Sequence, residues 1–144
     1  MKTKIFLWGF MYIIIASSFV LKPKDCLRVT LVSLSGKSKL KSVFVSVVDN
    51  ENQVKRYNTG KESQLEIKLP IGKQYTLVFT KSGYESKLIK INAMPTGVYD
   101  VRTVVSIDIN LMRTKVLFPR PKDMGAIFFD DENNLIVKNT ERNH

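Results

Sequence analysis

The stretch LEIKLPIGKQYTLVFTKSGYESKLIKI, residues 65–91, decides the fold. Leu65, Ile67 and Leu69 alternate with Glu66 and Lys68, the period of a strand with one wet and one buried face. Pro70-Ile71-Gly72-Lys73 has turn chemistry. Beyond it Tyr75, Leu77 and Phe79 share one face, with Thr76, Val78 and Thr80 on the other. Ser82-Gly83-Tyr84 turns the chain again, and Lys87, Ile89 and Ile91 then alternate with Leu88 and Lys90. Short strands joined by tight turns make one corner of an antiparallel β-sandwich.

The same period runs outward in both directions. Upstream, Leu27, Val29 and Leu31 form a strand, and Ser35-Gly36-Lys37-Ser38 a turn. Val43, Val45 and Val47 form the next strand, with Phe44 giving it an apolar residue on the second face as well. Asp49-Asn50-Glu51-Asn52 is a hairpin turn of the kind Asp and Asn support. Residues 53–57 return as a short strand whose Lys55 and Arg56 mark a guarded sheet edge. Downstream, residues 102–112 carry Val105, Ile107, Ile109 and Leu111 on one face. That makes about seven strands, and no window after Leu21 has a helical period. The expectation is an all-β, seven-stranded antiparallel sandwich over residues 26–112. Residues 113–144 are expected to be a C-terminal extension holding a short hairpin, with strands at 126–129 and 135–138 closed by residues 130–134.

The amino-terminal 25 residues read as a targeting segment. Lys2 and Lys4 precede a run of seventeen uncharged residues, 5–21, which Lys22, Pro23, Lys24 and Asp25 end sharply. Ala16 and Ser18 supply a small-x-small site, so the segment is expected to be an export signal cleaved after Ser18. The alternative is an uncleaved membrane-anchor helix, for which seventeen residues is just long enough. Cys26 lies near a lipoprotein position, but bulky, charged Pro23-Lys24-Asp25 precedes it, so it reads as an ordinary thiol.

Composition excludes more than it assigns. The 144 residues suit one domain with a core of its own. Cys26 is the only cysteine, so no intrachain disulfide forms, and the only histidine is the terminal His144, which excludes a histidine-based triad or zinc site. The net charge of +10 is uneven. Residues 27–91 hold twelve basic and five acidic side chains, whereas residues 92–144 hold seven of each. Such a basic sandwich favours an anionic envelope component or is simply a solvated lysine face. No basic run with interleaved aromatics points to nucleic acid.

Residues 27–112 resemble the carboxypeptidase regulatory-like domains, a transthyretin-like (prealbumin-like) β-sandwich family. The likeness rests on Val43, Val45, Val47, Asp49, on Leu69-Pro70-x-Gly72-Lys73-x-Tyr75 and on Phe79-x-Lys81-x-Gly83-Tyr84, with SKLIKI after it. Residues 58–63 depart from the family's usual Asp-x-x-Gly turn. The tail is similar to the end of small exported Bacteroidota-type proteins, through Pro121, Gly125, Ile127, Phe128, Phe129, Asp130, Asp131 and Glu132. The resemblance implies an accessory module of the periplasm or cell exterior, without catalysis or cofactor. Its partner would be an envelope protein or an anionic envelope component, and it would touch membrane only through the N-terminal segment. Nothing in the pattern sets an oligomeric state.

Five residues stand out as partner contacts: Tyr84 after its glycine, whose ring more plainly reads as a cap on the sandwich end with its hydroxyl bonded to backbone, Lys55 and Arg56 on the guarded edge, and Phe128 and Phe129 in the tail. Phe118 belongs with the latter two, all three reading as contacts or as a cover for an open end of the sandwich. Asp130, Asp131 and Glu132 offer oxygens to a calcium ion, but the spacing is not that of a calcium loop, and a solvated turn is the plainer reading. Glu62 with Glu66, or Asp108 with Asp123, would serve hydrolysis only if folding brought them together.

Overall fold

A computed structural model of the protein describes residues 25–97 and 104–140. The N-terminal segment, on which the expected cleavage after Ser18 and the alternative anchor helix both fall, therefore lies outside the described residues. These contain no helix, and so none long and apolar enough to cross a membrane.

Ten strands follow in order: β1 Cys26–Ser35, β2 Ser38–Lys39, β3 Phe44–Asp49, β4 Val54–Asn58, β5 Gln64–Pro70, β6 Lys73–Thr80, β7 Lys87–Ala93, β8 Val104–Asn110, β9 Lys122–Phe129 and β10 Leu135–Asn139. In the first sheet β1 lies between β5 and β8, with the two-residue β2 folded back on its end. The second sheet has the order β10-β9-β7-β6-β3-β4. The inward residues of both sheets build one core, in which Val29, Leu31, Val45, Leu77, Phe79, Ile91, Ile109 and Ile127 are fully buried.

The expected all-β sandwich of two sheets is present, but two of its details are corrected. There are ten strands among the described residues rather than seven. The sandwich is also not wholly antiparallel. β1 pairs with β8 in parallel, Val29 facing Val105, and β7 pairs with β9 in parallel, Ile91 facing Ile127. The tail is thus no appendage. β9 supplies buried Ile127 to the core, and β10 forms the outer edge of the six-stranded sheet. β4 forms the other edge, carrying Lys55 and Arg56.

The pairings fix two ends. One holds Cys26, the turns after β3 and β9, and Ile71, whose N–H donates to Asp25 at 2.9 Å. The other holds the turn after β6 and the connection from β8 to β9.

The β3–β4 and β9–β10 turns are built alike. In residues 49–53, Asp49 Oδ1 accepts the N–H groups of Glu51 and Gln53, both at 2.9 Å, and Asn52 takes a φ of 60°. In residues 130–134, Asp130 Oδ1 accepts those of Glu132 at 2.9 Å and Asn134 at 2.8 Å, and Asn133 takes a φ of 61°. Aspartate caps the turn, and asparagine tolerates the left-handed residue that closes it.

Asp49 also accepts a 3.2 Å bond from Lys73 Nζ, which lies 3.4 Å from Glu51 Oε2. The Gln53 N–H, helped by Lys73, holds the Asp49 carboxyl below its usual value of 3.8. Asp49 in turn raises the Lys73 ammonium above 10.5. A depressed carboxyl stabilises the fold above its unfolded value and stops doing so as pH falls through the folded one. The raised ammonium loses its contribution only in strong alkali. Thermal melts of Asp49→Asn should therefore show a shallower loss of stability below pH 3.8 than the natural chain. Parallel acid branches for the two would exclude this role.

Candidate functional site

The candidate surface lies at the end opposite Cys26. β6 ends at Thr80, and the chain turns through Gly83, whose φ of 81° suits glycine, to Tyr84. The connection from β8 to β9, residues 111–121, crosses this turn and is fastened to it. Glu85 N–H donates to Met112 at 2.8 Å, Thr114 N–H to Gly83 at 3.0 Å, and Lys122 N–H to Ser86 at 2.9 Å. Tyr84 and Arg113 form an antiparallel bridge, and the Arg113 guanidinium stands 5.9 Å from the centre of the Tyr84 ring, within cation–π range.

Between these fastenings the connection arches away from the body. Val116 is 60% exposed, Leu117 84% and Phe118 97%. The arch bends at Phe118, whose φ of 55° is one that a bulky residue seldom adopts. Phe44, at the start of β3, is 57% exposed on the same end. Phe44, Tyr84 and the arch enclose a cleft of ≈ 450 Å³. Exposed Arg113, Lys115, Arg120 and Lys122 flank the tip, with no acidic residue from 111 to 122. Lys122 pairs with Glu85 at 2.8 Å.

Of the residues singled out from sequence, Tyr84 lies in this site and Phe118 at its tip, turned to solvent rather than covering the sandwich. Lys55 and Arg56 sit apart on the β4 edge, where Lys55 lines a smaller cleft of ≈ 90 Å³ with Asp49 and Lys73. Phe128 and Phe129 lie at the far end of β9, half-buried and facing Ile136 and Leu135 of β10. Val116 and Leu117 escaped the sequence reading, although VLFP breaks the alternation seen elsewhere.

Asp108 and Asp123 are not brought together on one sheet. Asp108 is on the first sheet and Asp123 on the second, where Asp123 Oδ1 accepts the Gly125 N–H at 2.9 Å. Asp130 caps its own turn. Among the described residues no three His, Cys, Asp or Glu side chains are grouped to hold a metal ion.

No protein-family model matches the chain, and no curated protein matches it in sequence. Solved structures do show likenesses. The Bacillus anthracis TIE protein is 14% identical with a TM-score of 0.49, over 62% of this chain and 18% of that one. S.CueP is 14% identical with a TM-score of 0.43, over 67% and 68%. The group B streptococcus pilus 2b backbone protein is 20% identical with a TM-score of 0.43, over 66% and 43%. Likenesses this distant say nothing of what the chain binds.

Proposed function

We propose that the chain is an exported, non-enzymatic binding module of the cell envelope, a transthyretin-like sandwich of the carboxypeptidase regulatory-like kind. It engages its partner with the end around Tyr84. The observation that carries this reading is the exposed apolar group formed by Phe44, Val116, Leu117 and Phe118 beside a cleft and within a basic rim. Large apolar side chains gathered on a surface mark a place where something binds. The uncharged run at residues 5–21 supports export, with cleavage after Ser18 releasing a periplasmic or secreted domain.

A second reading has an observation in its favour. Cys26 and the apolar tip are at opposite ends of the sandwich. An uncleaved N-terminal anchor would hold the tip away from its own membrane, as an envelope subunit facing a partner.

A photo-crosslinking residue placed at Phe118 in the cell should give envelope adducts. One at Glu66, exposed on β5, should give none. Equal labelling at both positions, or none at Phe118, overturns the proposal. The intact mass of the crosslinked chain separates the two readings, since only the first removes the leading residues.

A further inference from the structure

We infer that the partner of this end is an anionic phospholipid membrane, into which Val116, Leu117 and Phe118 insert while the flanking cations meet the headgroups. The inference rests on the binding role proposed for this end and names its partner.

Three observations favour a lipid surface over a shaped protein site. Exposure rises along the apolar residues to 97% at Phe118, and a side chain so fully in water suits a fluid phase that can close around it. The charge is arranged as a collar. Arg113 and Lys115 precede the tip and Arg120 follows it, while Lys122 is paired with Glu85. An apolar tip with basic flanks matches the layering of an anionic membrane, phosphate above and acyl chain about 5–10 Å below. Finally, backbone hydrogen bonds at Met112, Thr114 and Lys122 hold both feet of the arch, so little order remains to be imposed on binding. A free mature domain can present this end to any anionic leaflet. This would be a membrane contact separate from the N-terminal segment.

The test uses residues 19–144, the mature chain that cleavage after Ser18 would leave, a fragment that carries both sheets and every core residue described above. The probes are phosphatidylcholine vesicles with and without phosphatidylglycerol. The fragment should sediment only with the anionic vesicles, and less so as salt rises. The double variant Leu117→Ser/Phe118→Ser should keep its melting temperature and lose at least about tenfold in vesicle affinity. Trp8 is the only tryptophan of the chain, so Phe118→Trp gives the fragment a single indole. Its emission should shift to the blue on anionic vesicles alone.

Binding that survives Leu117→Ser/Phe118→Ser, or an indole that stays in water, overturns the inference in favour of a solvated cationic face. A fragment that ignores vesicles although Phe118 crosslinks to an envelope protein also overturns it, and leaves the proposed binding role standing. No vesicle binding and no crosslink removes both.

Discussion

Gly125→Ala should destabilise the protein by at least about 3 kcal/mol, combining a strained backbone with overpacking. Gly125 has a φ of 137°, which a side chain rarely permits. A Cβ built there collides with the Lys138 carbonyl oxygen and meets the Asn139 Cα at 3.0 Å. Both obstacles are backbone, so no rotamer relieves them. The reason for the glycine is a bulge. Along β7 and β9 the register passes from Leu88–Asp123 to Lys90–Ala126, which leaves one extra residue in β9. The strand bends there, and β10 closes over the bend. Accommodating a methyl group would push β10 off β9 and disturb Ile127, which is buried beside it. Denaturant melts measure the cost, and hydrogen exchange in β10 locates it. Gly36→Ala is the control, since Gly36 also has a positive φ, 63°, but nothing within 4 Å of the added carbon. Its cost should be about 1–2 kcal/mol, from conformation alone. Equal losses at the two sites would mean that contact with β10 is unimportant.

Phe79→Ala should cost about 3–5 kcal/mol, as removal of a buried aromatic ring does. Phe79 is fully buried on β6, a strand flanked on both sides by β3 and β7. It faces Val45, also fully buried, across the β3–β6 pair. Val78 is the neighbour on the same strand with its side chain on the outer face, only partly covered. Val78→Ala should lose under about 1 kcal/mol, in keeping with a surface change. The contrast tests the register directly, because a slip by one residue exchanges the two faces. If the two variants melted alike, β6 would not be seated as described.

Residues 65–91 were legible because half-buried strands announce themselves by alternation, and the inward sets Leu77 and Phe79, Ile89 and Ile91 are those the pattern assigns. Alternation says which face is buried but not which strand lies alongside. The parallel partners β1–β8 and β7–β9 were therefore invisible, since sequence neighbours suggest hairpins. β2 is too short to carry a period. β9 was read as starting at residue 126 because the extra residue at Gly125 interrupts the period of two, and Pro119 and Pro121 just before it resemble linker. At the candidate site, the Gly83-Tyr84 turn drew attention to one residue. Val116 and Leu117 did not stand out, because an apolar triplet inside a strand and one on an arch look the same until the fastenings at Met112 and Thr114 are known.

The place of β1 has a consequence for the order in which the protein can form. The first strand of the described residues is the middle of its sheet, and its two flanking partners are β5 and β8. β7, likewise, waits for β9. A nascent chain therefore completes neither sheet until most of its length has emerged, and long-range pairing of this kind is slow to close. Until then the pairs β1–β5, β3–β4, β3–β6 and β6–β7 can form, but each sheet lacks an outer partner that must come from the last third of the chain.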